Sequence, residues 1–268
     1  MTYKEFIDAT TTAFSVSGIE TARLDTLVLL EDVTGQDRGW ILAHDELAIL
    51  PTDLAALEPL VIRRLKWEPL AYIRGKAEFY GRPFKVTEGV LTPRAESEEI
   101  IGHLLKYCQS GEDIIDVGTG SGALAITAKL EMPASRVMAI DISGAALEVA
   151  RANASELGAA VEFIEGNLLE PVKDHDLTST IIITNLPYVP KDYPVNEAAK
   201  YEPEIALYSG VDGLDLYREM FAATTNNSPK IIITESLPEQ HEALKEIAEG
   251  GGYQESDHKD FVQVFVLA

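Results

Sequence analysis

The sequence predicts an α/β protein: a doubly wound, mostly parallel sheet of seven strands with a small all-helical domain before it. Three observations carry that reading. After Gly111, short β-rich runs alternate with helical ones, the pattern of successive βαβ units. The first of those runs, Ile114-Ile115-Asp116-Val117, passes directly into Gly118-Thr119-Gly120-Ser121-Gly122, as a Rossmann-like strand-loop-helix unit does. Between residues 3 and 64, by contrast, apolar residues recur at helical spacing.

The helical stretch is clearest at Ala22, Leu24, Leu27, Val28, Leu29 and Leu30, which stop at Thr34-Gly35. Further helix starts are expected at Asp45, before Glu46-Leu47, and at Pro51-Thr52-Asp53, before Leu54-Ala55-Ala56-Leu57. Around residues 78–86, aromatic runs flank Gly81-Arg82-Pro83, which predicts a β-hairpin turning there. A helix over 96–107 would bury Ile100, Ile101, Leu104 and Leu105. Strands are expected at 113–117, 136–140, 161–164, 180–184, 230–234 and 261–267, with helices at 123–129, 144–157, 214–224 and 238–249. The resulting division is 1–74, a helical N-terminal domain; 75–110, a hairpin and helix connector; and 111–268, the α/β domain.

With 44 acidic against 22 basic side chains, the formal net charge is −22, so the average surface field repels phosphate backbones and favours basic partners. Solubility or salt tolerance accounts for the same charge equally well. Cys108 is the sole cysteine, which excludes an internal disulfide and a cysteine-built zinc cluster and fits a reducing, cytoplasmic setting. The first residues lack a basic stretch followed by an apolar one, and no apolar run reaches membrane-spanning length. A monomer that needs no metal is expected.

Glycines at 118, 120 and 122 permit a tight strand-to-helix turn and close approach of a ligand to the backbone. A dinucleotide site would space its glycines GxGxxG and face a pyrophosphate. Here the spacing is GxGxG, and Asp116 precedes the first glycine. A carboxylate is unwelcome beside a pyrophosphate but suits a cationic ammonium or sulfonium group, which favours S-adenosylmethionine. Candidate cofactor contacts are therefore Asp116, Gly118, Thr119, Gly120 and Gly122. Asp141, with Ile142 beside it, ends the next strand where a carboxylate can accept both ribose hydroxyls, unless its task is to cap the following helix. Asn167 stands where an adenine contact would come from. Pro93 and Arg94 either form a wall of the cofactor pocket or belong to a solvated linker.

At the end of the fourth strand, beside the topological switch point, stands Asn185-Leu186-Pro187-Tyr188. An amide nitrogen is a poor nucleophile because its lone pair is delocalised, so a catalyst must position it and accept its hydrogens. The Asn185 side-chain oxygen and the Leu186 main-chain carbonyl can accept one N–H each. Tyr188 can lay its ring against a flat acceptor group, and Pro187 stiffens the loop. Asn185 also borders the cofactor side. The motif alone specifies a planar nitrogen, whether of a protein amide or of a flipped nucleic-acid base. The acidic balance and the lack of a basic stripe with interleaved aromatics oppose the base, and direct nucleic-acid contact is not expected.

These motifs and their flanks resemble the HemK/PrmC family of release factor glutamine methyltransferases. The matching blocks are Glu68-Pro69-Leu70-Ala71-Tyr72-Ile73-Arg74-Gly75 with Glu78-Phe79-Tyr80-Gly81; Val90-Leu91-Thr92-Pro93-Arg94-Ala95-Glu96-Ser97-Glu98; and Tyr201-Glu202-Pro203 through Asp212-Gly213-Leu214-Asp215 and Tyr217-Arg218. The resemblance covers residues 24–252. It implies a class I S-adenosylmethionine-dependent methyltransferase. The helical domain would help dock a class I peptide chain release factor, whose Gly-Gly-Gln loop glutamine is methylated. Glu202 and Pro203 either shape the acceptor cleft or only end a loop. Where the family has Asn-Pro-Pro-Tyr, this chain has Leu186, which still supplies a carbonyl. Where the family tends to have Asp-Arg before the last strand, Asp260 is followed by Phe261. A ribosomal-protein glutamine is a competing acceptor that the motif does not exclude.

Overall fold

A computed structural model of the protein describes residues 1–225 and 227–268. The chain forms two compact units, Met1–Gly75 with Asn196–Tyr201, and Lys76–Val195 with Glu202–Ala268.

The first unit holds α1 (Tyr3–Val16), α2 (Ala22–Thr34), α3 (Arg38–Ala43), α4 (Pro51–Leu65) and α5 (Leu70–Arg74). Thr2 begins α1 with a capping box: its hydroxyl accepts the Glu5 N–H at 3.2 Å, and the Glu5 carboxylate accepts the Thr2 N–H at 2.8 Å. Gly35 ends α2 in the left-handed region, and Pro51 opens α4 where its missing N–H costs nothing. Phe14, Leu29, Leu30, Ile41 and Leu57 fill the core. Within it the buried Arg64 guanidinium meets the buried Asp25 carboxylate at 2.7 Å. The helix expected at Asp45 does not form. The carbonyls of Asp45 and Leu47 instead accept the N–H groups of Lys4 and Tyr3, at 2.8 and 3.0 Å, and so satisfy first-turn donors of α1. Residues Asn196–Tyr201 join this unit, where the Tyr201 hydroxyl donates to the Lys66 carbonyl at 2.6 Å.

The second unit opens with a hairpin, β1 (Lys76–Phe79) and β2 (Arg82–Lys85). Its turn is Tyr80-Gly81, with φ of 51° and 70°, one step earlier than the sequence suggests. A two-residue hairpin turn needs left-handed backbone at both positions, which Pro83 cannot adopt, and Pro83 pairs with Glu78 inside the strand instead. Helix α6 (Glu98–Tyr107) follows. Residues read from the sequence as a connector thus pack into this unit, with Phe79, Phe84, Ile100 and Leu104 in one core with Ile114 and Ile181.

The main sheet comprises β3 (Asp113–Val117), β4 (Val137–Asp141), β5 (Glu162–Glu165), β6 (Thr180–Thr184), β7 (Ile231–Glu235), β8 (Tyr253–Lys259) and β9 (Val262–Leu267). Its order is β5-β4-β3-β6-β7-β9-β8, parallel through β7 and antiparallel at β9 and β8. Helices α7 (Ala123–Glu131), α8 (Gly144–Leu157), α9 (Asp215–Ala223) and α10 (His241–Gly250) complete the unit. Alternate residues of the strands feed two cores: Ile181 and Ile183 on one face, Ile182 and Ile232 on the other. Covering both faces is why β6 and β7 each carry a run of three isoleucines. The chain winds outward through β4 and β5 and returns to lay β6 against β3, with Val117 opposite Thr184. The loops leaving β3 and β6 therefore lie side by side at the switch point. The Thr184 hydroxyl fastens them by donating to the Val117 carbonyl at 2.6 Å.

Candidate active site

One cavity collects most of the residues singled out in the sequence. Pro93, Arg94, Gly118, Thr119, Gly120, Asp141, Ile142, Asn167, Asn185, Leu186, Pro187 and Pro203 all line it. Asp116, Gly122, Tyr188 and Glu202 do not, and each has a different task.

Asp116 is wholly buried behind the loop. Its Oδ2 accepts the Thr119 hydroxyl at 2.6 Å and the Ala125 N–H at 3.0 Å, and its Oδ1 is buried without a hydrogen bond among the described residues. Burial pushes this carboxyl up to about 7. The expectation that Asp116 faces a cationic ligand gives way to an anchoring role: it ties the loop to the first turn of α7. Gly122, at φ 83°, works at the same junction. A Cβ there would come 2.8 Å from the Ile126 Cδ1 and 3.1 Å from the Ala150 Cβ, so the bare glycine lets α7 start against α8.

Gly118 and Gly120, at φ 75° and 54°, present bare backbone to the cavity. At the far side of the loop the Asp141 carboxylate accepts the Gly120 N–H and the Ser143 N–H, both at 2.8 Å. Burial raises its pKa against those bonds. The alternative capping role falls to Ser143, whose hydroxyl accepts the Ala146 N–H at 3.2 Å. Ile142 is 55% exposed and adds an apolar surface to the cavity wall. Asn167 donates its amide to Glu219 at 2.7 Å, which turns its oxygen away from that partner. An acceptor-rich wall of Asp141 and Asn167, bare glycine backbone and an uncovered Ile142 fit the hydroxyls, amine and flat ring of S-adenosylmethionine.

On the opposite wall, the Asn185 side-chain amide donates to the Ser97 hydroxyl at 2.8 Å. Neither the Asn185 Oδ1 nor the Leu186 carbonyl has a hydrogen-bond partner among the described residues. The Leu186 side chain is buried in the core and packs on the cofactor loop, since a Cβ on Gly118 would lie 3.1 Å from its Cδ2. Leucine therefore gives this position a packing role besides its carbonyl. The Tyr188 hydroxyl donates to Glu235 at 2.8 Å; burial, and then the Glu235 charge, push this phenol far above its ordinary value. Its carbonyl accepts the Gln240 amide at 2.8 Å, and that amide also donates to the Asp212 carbonyl at 2.7 Å. Glu202 is buried too, accepting the Thr92 N–H at 3.1 Å and pairing with Arg94, so it braces the wall that Arg94 and Pro203 line.

Sequence reading passes over Ser97, Glu235 and Gln240. Ser97 lies within a block that resembles the family, and Glu235 is the one charged residue of β7, at its end after Ile231-Ile232-Ile233-Thr234. A carboxylate buried at a strand end beside a switch point is the signal that could have found it.

Two family descriptions match the chain: the PrmC N-terminal domain over residues 5–75 and the methyltransferase small domain over residues 97–199. A release factor glutamine methyltransferase of Geobacter sulfurreducens is 37% identical over 220 residues, 81% of this chain and 77% of the relative. One of Bacillus subtilis is 41% identical over 201 residues, 72% of this chain and 69% of the relative. The chain belongs to the release factor glutamine methyltransferase family. A third relative of that name, from Staphylococcus aureus, is 34% identical over 91% of this chain and 89% of its own length. A methyltransferase of Pyrococcus furiosus, 17% identical, shares the fold, with a TM-score of 0.52 over 71% of this chain and 91% of that one. Membership of that family makes this an S-adenosylmethionine-dependent methyltransferase, and the sequence blocks that carry the resemblance find physical reasons here. Gly213, for example, stands at φ 84° where a Cβ would fall 2.0 Å from the Tyr188 carbonyl.

Proposed function

We propose that this chain methylates the side-chain amide nitrogen of the glutamine in the Gly-Gly-Gln loop of a class I peptide chain release factor. The observation that supports it is a pair of acceptors without hydrogen-bond partners among the described residues, the Asn185 Oδ1 and the Leu186 carbonyl, beside the glycine loop at the switch point. S-adenosylmethionine, when bound, supplies an electrophilic methyl group on a sulfonium sulfur. The two acceptors take one N–H each, fixing the amide plane and directing a face of the nitrogen toward the cofactor wall. As positive charge develops on that nitrogen, the same fixed oxygens stabilise it without reorganising. Tyr188 keeps its proton, because its hydroxyl is spent on a buried carboxylate, and so it serves as a placed ring rather than a base.

The helical unit is read as the part that docks the release factor, in a cytoplasmic monomer that makes no direct nucleic-acid contact. A net charge of −22 favours a basic protein partner over a nucleic-acid base as acceptor. No helix among the described residues is long and apolar enough to cross a membrane.

Labelled S-adenosylmethionine incubated with the enzyme and a release factor should label that factor, and replacing its loop glutamine should abolish the label. Asn185→Ala should lower kcat by about 100-fold or more while cofactor affinity, measured by calorimetry, changes by less than about threefold. An equal collapse of cofactor binding would remove Asn185 from the acceptor role.

A further inference from the structure

An asparagine amide can present either its oxygen or its NH2 group to a ligand, and only the oxygen can receive a glutamine N–H. Something must set that choice. The side chains behind Asn185 form one hydrogen-bonded row. The Asn185 amide donates to the Ser97 hydroxyl at 2.8 Å, and Ser97 donates to the Glu235 Oε2 at 2.6 Å. The Tyr188 hydroxyl occupies the other carboxylate oxygen at 2.8 Å. Ser97 is 4% and Glu235 1% exposed, so water does not compete.

Proton counting makes the row directional. The Ser97 hydroxyl donates to Glu235, and that carboxylate, when ionised, can only accept, so the single Ser97 proton is committed there. Toward Asn185 the Ser97 oxygen can then only accept. Asn185 must face it with NH2, which turns Oδ1 to the cavity. Ser97 is also the N-cap residue of α6, yet its side chain makes no capping hydrogen bond, as expected of a hydroxyl diverted to other partners. The register of the sheet delivers those partners, because Thr184 pairs with Thr234 and the next residues along the two strands are Asn185 and Glu235.

We infer that Glu235 and Ser97 are positioning residues that fix the orientation of the Asn185 amide, and that the same carboxylate fixes Tyr188 beside it. This rests on the methyl-transfer reading above, but the amide orientation itself is observable without any substrate. Glu235 lies outside the cavity lining and Ser97 on it, and both are assigned to act through Asn185 and Tyr188.

The test has two arms. In the first, nuclear magnetic resonance of the 15N-labelled protein follows solvent exchange of the Asn185 side-chain NH2. Protection in the wild type that disappears in Ser97→Ala is the expected result; exchange at the rate of an exposed asparagine in the wild type overturns the inference, whatever the enzyme's substrate. In the second, turnover is measured with S-adenosylmethionine and a release factor. Ser97→Ala should lower kcat about tenfold, the worth of one ordinary hydrogen bond, with both KM values within about twofold. Ser97→Thr, which keeps the hydroxyl, should return kcat to within about threefold of wild type. Glu235→Gln can turn its NH2 toward Ser97 and should lower kcat at least as far as Ser97→Ala. Unchanged turnover in Ser97→Ala, or a threonine variant no better than alanine, contradicts the assignment. Label found on nucleic acid instead of the release factor would sink the substrate reading, and the exchange rates would still decide whether Ser97 orients Asn185.

Discussion

Glu235 places a buried carboxylate behind two side chains of the acceptor loop, and its protonation state should be visible in the rate. Burial raises its pKa first, against the hydrogen bonds from Ser97 and Tyr188; Glu96 raises it further and Arg94 lowers it. The ionised form holds the row in order, so kcat should fall as pH drops through that raised value, above the range where an ordinary glutamate titrates. A pH profile of kcat with the acid limb at or below the ordinary glutamate value would contradict this. Asp116 gives a stability counterpart. Its folded-state pKa is raised from 3.8 to about 7, so the fold holds that proton to a higher pH than the unfolded chain does. Its contribution is full below the unfolded value and is lost as pH rises through about 7. Thermal melts of Asp116→Asn should therefore vary less between pH 4 and pH 7 than those of the wild type, about the interval between the two values. Parallel curves would place the proton elsewhere.

At the scale of elements, glycine positions divide by what surrounds them. Gly35 ends α2 at φ 68° with nothing within 4 Å of an added Cβ, whereas Gly213, at φ 84°, would drive one into the Tyr188 carbonyl and the Gln240 amide. Gly35→Ala should cost about 1 kcal/mol, the left-handed penalty alone, and Gly213→Ala about 3 kcal/mol with lowered kcat, both read from urea unfolding and turnover. Equal costs would mean the loop yields easily. A similar dependence on surroundings separates what is legible in the sequence from what is not. Strands β6 and β7 are plain because burial on both faces gives each a run of three isoleucines, and the loops that follow β3 and β6 carry the motifs. Strand β8, Tyr-Gln-Glu-Ser-Asp-His-Lys, is a polar edge strand with few residues to bury, so no alternation announces it. The segment at Asp45 resembles a helix start, but its carbonyls serve α1 from a distance in sequence that local patterning does not register. At the site, the glycines and the Asn185 motif are readable from spacing and position. Asp116 is misjudged because its burial follows from packing, and Ser97 and Glu235 are missed because their partners lie far along the chain.

Over the whole molecule, two compact units divide the labour proposed here between docking and methyl transfer. The acidic excess of 22 charges suits both solubility and partner choice, and only the acceptor's identity separates them. That identity is reached most directly by residue-level mass spectrometry of a class I release factor after incubation with this enzyme and S-adenosylmethionine. The expected product carries one added methyl group, on the side-chain nitrogen of the Gly-Gly-Gln glutamine, and the group is absent with Asn185→Ala. An unmodified glutamine, with the methyl group on another residue or on nucleic acid, would refute the proposed function.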